Sequence, residues 1–85
     1  MTYTITYTPT AAKTLKKLDR QAARQIITAI EALQSNPYPQ GAIQLKGGAG
    51  ELRIRTGNYR IIYEVEHGEL VILVLKVGHR REIYR

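Results

Sequence analysis

Hydrophobic and polar positions alternate at the start of the chain and then recur every three or four residues, so strand gives way to helix before any chemistry is considered. Residues Thr2 to Tyr7 carry Tyr3, Ile5 and Tyr7 on one side and threonines on the other, which predicts a first strand. Thr8 followed by Pro9 is an N-cap and first-turn pair. The helix it opens, to about Leu18, sets Ala11, Leu15 and Leu18 in one stripe and turns Lys13, Lys16 and Lys17 to water. Asp19 caps a second helix to about Ser35, in which Ala23, Ile26, Ile27, Ile30 and Leu33 keep the helical period until Asn36-Pro37-Tyr38-Pro39 stops it.

Alternation then returns. Ile43 to Lys46 predicts a short strand, and longer ones follow at about Glu51 to Arg55, Tyr59 to Glu66 and Leu70 to Val77. Gly57-Asn58 and His67-Gly68 join these as hairpins, so they are expected to be antiparallel neighbours. The order β-α-α-β-β-β-β predicts an α+β fold, a two-helix hairpin packed on one face of a small twisted antiparallel sheet, with residues 1–85 forming one domain. The expected core is Ala11, Leu15, Ile26, Ile30, Leu33, Ile61, Tyr63, Leu73 and Leu75. Strict alternation puts Arg60, Ile62, Glu64 and Glu66 opposite Tyr59, Ile61, Tyr63 and Val65, and puts Arg53 and Arg55 opposite Leu52 and Ile54. In the last strand it sets Lys76, with Arg80 beyond it, opposite Val77 and His79. One face is thus apolar and helix-covered, the other basic and open.

Composition sharpens this picture. The chain has 85 residues, 44% of them hydrophobic, and no cysteine, which excludes a thiol nucleophile and a cysteine metal site. Neither a secretory signal nor a membrane span is visible, so the expectation is a cytoplasmic protein with no membrane partner. Thirteen Lys plus Arg against seven Asp plus Glu leave a net charge of +6, which favours a polyanionic or acidic partner. The helical run Lys13, Lys16, Lys17, Arg20 and Arg24 is either a solvated face or a docking surface for ribosomal RNA.

The candidate chemistry is that of guanidiniums. Arg53, Arg55, Arg60 and Arg80 suit a phosphodiester, because the guanidinium fork matches phosphate oxygens and stays charged. RNA cleavage without a metal uses the ribose 2′-hydroxyl as nucleophile, and preorganised cations stabilise the crowded phosphorane. Strand-surface arginines that merely solubilise the sheet are the alternative. Lys76 and Arg81 are further candidate RNA-binding cations. The two histidines form no metal-ligand pattern; His79 has the chemistry of an acid or base but is expected to be structural or partly exposed, and His67, in a turn, solvated. Lys46-Gly47-Gly48-Ala49-Gly50 lacks the ending and the following helix of a phosphate loop and is expected to be a turn. No cofactor or metal is expected.

Tyr59-Arg60-Ile61-Ile62-Tyr63 and Val77-Gly78-His79-Arg80, supported by Lys16-Lys17-Leu18-Asp19, Asn36-Pro37 and Leu45-Lys46-Gly47, resemble the RelE branch of the RelE/ParE toxin superfamily of bacterial toxin–antitoxin systems. The resemblance implies a ribosome-dependent endoribonuclease that cuts messenger RNA in the A site, held in check by a cognate acidic antitoxin. It implies that Arg60 orients the scissile phosphate, that Arg80 acts on the leaving side and that Tyr84 stacks on the substrate base. By the same resemblance, Arg53 and Arg55 stand where members often carry lysine, one of them the proposed base; two arginines here leave the base unassigned. Lys46 is implied as a contact on the substrate path or the antitoxin face. Arg60 and Arg80 are expected to be exposed on one open face, close enough for one phosphate to bridge them, with Tyr84 beside the pocket. The alternatives are the ParE branch, which poisons DNA gyrase, and a catalytically weak antitoxin-binding or nucleic-acid-binding module.

Overall fold

The computed structural model describes residues 2–45, 50–79 and 81. Strand β1 (Thr4–Tyr7) leads into helix α1 (Pro9–Lys17), and helix α2 (Arg20–Ala32) follows after a break at Leu18 and Asp19. The Thr8 hydroxyl accepts from the Ala11 N–H at 3.1 Å and donates to the Leu75 carbonyl at 2.7 Å, so one side chain caps α1 and ties it to the sheet. Asp19 Oδ1 accepts from the Ala22 N–H at 2.7 Å and starts α2 in the same way. Among the described residues no helix is long and apolar enough to cross a membrane.

Strands β2 (Ile43–Gln44), β3 (Leu52–Thr56), β4 (Tyr59–Glu66) and β5 (Val71–His79) complete a five-stranded sheet in the order β1-β5-β4-β3-β2. The hairpins from β2 to β5 are antiparallel, as the turn residues predict. β1 runs parallel to β5, with Thr4 opposite Val71 and Tyr7 opposite Val74, so the sheet is mixed where an antiparallel one was expected. The reason is topological: the helical hairpin carries the chain from β1 at one edge to β2 at the other, and the returning meander brings β5 beside β1 in the same direction. At the Gly57-Asn58 turn, Gly57 has φ 59°, and a Cβ there would lie 2.8 Å from Nε2 of Gln25, which itself donates to the Thr56 hydroxyl. Glycine satisfies both constraints.

The core lies between the helices and one sheet face. Ala11, Ile26, Ile30, Leu33, Ile61 and Tyr63 are fully buried as expected, and Leu15 packs against them partly exposed. Leu73 and Leu75 are not core; Ile72, Val74 and Val77 are. A β-bulge causes the exchange. Ile62 pairs with Lys76, but its neighbour Tyr63 pairs with Val74, so Leu75 has no partner on β4. One extra residue restores Val74 to the face of Val77 and turns Leu73 away, opposite Glu64. The last strand also starts at Val71, because Leu70 has φ 56° and closes the turn. The buried Tyr63 hydroxyl donates to the Pro37 carbonyl at 2.7 Å, which fastens the segment after α2 to the sheet.

Candidate nucleic-acid interface

Pairing register places the cations on the sheet face away from the helices. Arg55 of β3 stands directly opposite Arg60 of β4, and Arg60 stands opposite Gly78 of β5. Arg53, Ile62 and Lys76 form the next row, with Ile43 of β2 opposite Arg53. Cα atoms of such opposed residues lie roughly 5 Å apart. Two guanidiniums therefore spring from adjacent points of one rigid surface.

The face is less open than alternation alone suggests. Ile62, between Arg53 and Lys76, is only 9% exposed. Arg60 is half-buried where it was expected to be exposed: its Nε and Nη1 are shielded from solvent and have no hydrogen-bond partner among the described residues. Shielded guanidinium nitrogens without a partner, beside a like charge, are electrostatically unfavourable, and an anion seated between the two side chains relieves both penalties. Arg53 is half-buried, whereas Arg55 is exposed. The exchange of Leu73 for Val74 leaves Lys76 where alternation placed it, beside Ile62.

Lys13, Lys16, Lys17, Arg20 and Arg24 are all exposed. The far end of α1 reaches the same end of the sheet as the arginine row, since Thr14 and Leu18 share a cleft with Tyr59, Lys76, Gly78 and His79. The exposed Arg81 donates its backbone N–H to Nδ1 of His79 at 3.3 Å, and the His79 ring meets Tyr59 edge-on with centroids 5.8 Å apart. Lys46, Arg80 and Tyr84 lie outside the described residues, so the expected bridging of one phosphate by Arg60 and Arg80, bordered by Tyr84, is not part of this geometry.

Charge is divided along the face. Glu64 and Glu66 occupy the far end of β4 from Arg60, and the Glu64 carboxyl is held above the usual carboxylate range by burial, then by the charges of Glu66 and Glu51 and a hydrogen bond to Glu66. One end of the sheet thus attracts polyanions and the other repels them. Among the described residues no three His, Asp or Glu side chains converge as metal ligands.

His67 is an exposed turn residue, as the sequence suggests, and it is also held by two tyrosines. Its Nδ1 is bonded to the Tyr3 hydroxyl at 3.0 Å and its Nε2 to the Tyr38 hydroxyl at 2.6 Å, with Tyr38 stacked beside the ring. The three residues come from β1, the segment after α2 and the β4–β5 turn, and no local pattern signals their meeting.

Comparison with known proteins agrees with this architecture. Residues 5–84 match the family model of the ParE toxin of type II toxin–antitoxin systems. The chain is 31% identical over 86 aligned residues to toxin RelG of Mycobacterium tuberculosis, covering 100% of this chain and 99% of the relative. Among solved structures, the RelE–RelB complex of the archaeon Pyrococcus horikoshii shares 30% identity and a TM-score of 0.81, covering 96% of this chain and 99% of that one. The RelBE2 toxin–antitoxin complex of Mycobacterium tuberculosis gives 28% identity and a TM-score of 0.82, covering 94% of this chain and all of that one.

Proposed function

Because the chain belongs to the ParE toxin family of type II toxin–antitoxin systems, within the RelE/ParE superfamily, we propose that it is a ribosome-dependent, metal-independent endoribonuclease acting on messenger RNA in the A site. The observation that carries this reading is the opposed pair Arg55 and Arg60, with two shielded and unpartnered nitrogens on Arg60. In the proposed reaction the ribose 2′-oxygen attacks the adjacent phosphorus as its proton leaves, and the P–O5′ bond breaks. The products are a 2′,3′-cyclic phosphate and a 5′-hydroxyl that takes up a proton. Arg60 binds the non-bridging oxygens through its shielded edge, and Arg55 adds a second cation from the next strand. Arg53 and Lys76 continue the charge one row away, and Arg80 and Tyr84 are assigned to the leaving group and the base by family resemblance. Neither Arg53 nor Arg55 serves as base, since a guanidinium does not give up its proton near neutral pH.

The proposed partners are the ribosome and a cognate acidic antitoxin. Relatives seen in complex with RelB support the second, and the exposed cations of α1, α2 and β3 suit both. Lys13, Lys16, Lys17, Lys46, Lys76 and Arg81 are proposed to hold RNA by charge. The family description also names a ParE toxin, which keeps DNA gyrase as the rival target. Purified protein added to translating ribosomes decides between them: cuts phased to codons establish the nuclease, and stalled gyrase cleavage complexes without cut messenger establish the other.

A further inference from the structure

The two shielded nitrogens of Arg60 do not share an edge of its guanidinium. Nε lies on one edge and Nη1, the nitrogen cis to Cδ, on the other, and neither has a partner among the described residues. An anion gripped between Arg55 and Arg60 is held by one of these edges. The donor of the other edge is left over, shielded and still unsatisfied, so the side chain is suited to a second acceptor. On the side away from Arg55, the residue opposite Arg60 is Gly78, which offers it no side chain. A glycine within a strand often marks the close approach of a ligand.

Lys76 precedes Gly78 on the same face of β5, opposite Ile62 and diagonal to Arg60. Diagonal positions of an antiparallel pair are about 7–8 Å apart, within reach of long side chains. Lys76 is half-buried, and among the described residues its ammonium has neither a hydrogen-bond partner nor an ion pair. Glu64 does not neutralise it, being paired with Leu73 on the other side of the bulge. Gly78 is thus bordered by two cations, Arg60 across the pair and Lys76 two residues back along the strand. Strands are spaced by about 4.8 Å, which puts Gly78 one and a half spacings, about 7 Å, from the midpoint of Arg55 and Arg60. Consecutive phosphates of an extended single strand are separated by a similar distance.

We propose that Arg60 and Lys76 form a second phosphate site over Gly78, which takes the phosphate next to the one being cut, and that Arg60 bridges the two. The inference rests on the nuclease reading above and deepens it. The substrate is an internal phosphodiester whose neighbour on one side carries its charge, and the RNA crosses the strands from β3 to β5 instead of running along them. Lys76 touches the neighbouring phosphate and no reacting atom, so its loss removes sensitivity to that one charge.

The test uses short ribosome-bound messengers in which the phosphate on the 5′ or the 3′ side of the cut is replaced, one at a time, by an uncharged methylphosphonate. Cutting is measured as kcat/KM for the parent, Lys76→Gln, which keeps most of the side chain without its charge, and Lys76→Arg. In the parent, one of the two replacements should lower kcat/KM by on the order of tenfold and the other far less. Lys76→Gln should melt as the parent does, lose about tenfold on the unmodified messenger and lose little more on the replaced one. Lys76→Arg should stay as sensitive as the parent. A parent indifferent to both replacements, or a Lys76→Gln variant that keeps the parent's sensitivity, overturns the inference and leaves the nuclease reading standing. A parent that cuts no RNA overturns both.

Discussion

Arg55 and Arg60 face each other across the β3–β4 hairpin with no residue between them, and Arg60 keeps two nitrogens shielded from solvent without a protein partner. The two-residue turn Gly57-Asn58, closed by Thr56 opposite Tyr59, enforces this register. Like charges at opposed positions oppose hairpin formation, so the arrangement costs stability and has its use when an anion is bound.

Replacing Arg60 with alanine is expected to lower ribosome-dependent cleavage by on the order of a hundredfold or more while leaving the melting temperature unchanged or raised. Arg60→Lys should recover little of the activity, because an ammonium lacks the bidentate fork. Single-turnover cutting beside thermal unfolding checks both; an active alanine variant would remove Arg60 from the site.

Ribosome or RNA affinity should fall steeply with salt, since a net charge of +6 binds polyanions largely by displacing counterions. Filter binding over a range of potassium concentrations measures the slope, and Arg55→Ala should make it shallower by about one. A flat dependence would count against phosphate contacts.

Val74→Ala should destabilise the protein by roughly 1–3 kcal/mol and Leu73→Ala by distinctly less, because the bulge at Leu75 turns Val74 into the core and Leu73 out of it. Denaturant unfolding of the two variants decides. The reverse order would mean that the strand alternates without interruption.

Glu64→Gln should raise the melting temperature at neutral pH. The folded-state pKa of Glu64 lies above its ordinary value through burial and the charges of Glu66 and Glu51. Folding therefore favours the protonated form: the contribution is fully present below the unfolded value and is lost as pH rises through the folded one. The gain from glutamine should vanish at about pH 3, where the Glu64 carboxyl is largely neutral in the folded and the unfolded chain.

Tyr63→Phe should cost about 1–3 kcal/mol, since it leaves the Pro37 carbonyl without its donor. For a chain of this size each kcal/mol lowers the melting point by roughly 4–8 °C. Burial, with the nearby Tyr38, pushes the Tyr63 hydroxyl up to about 12 from its ordinary 10. Stability from that hydroxyl is complete below pH 10 and is lost as pH rises towards 12. Ultraviolet titration should show one tyrosine ionising only as the protein unfolds.

Local patterns in the sequence determined most of the elements, because they rest on contacts a few residues apart. Thr8 and Asp19 act as N-caps where their side chains suggest, Ile26 and Ile30 fall on the buried stripe of α2, and Gly57-Asn58 closes the hairpin that sets Arg55 against Arg60. The period of two along β3 and β4 was enough to put Arg53, Arg55 and Arg60 on the face away from the helices.

Tertiary structure decided what depends on distant parts of the chain. The parallel pairing of β1 with β5 joins residues about 67 positions apart, as Thr4 with Val71, and no hairpin signal bears on it. The bulge that exchanges Leu73 and Leu75 for Ile72 and Val74 is a mismatch between two strands, invisible in either one. The clamp of His67 between Tyr3 and Tyr38, the shielding of Arg60 and the cleft beyond Gly78 exist only once helices and strands are packed. A sequence carries the period of each strand, but register, desolvation and cavity shape belong to pairs of elements, and those are set by the packing of the whole.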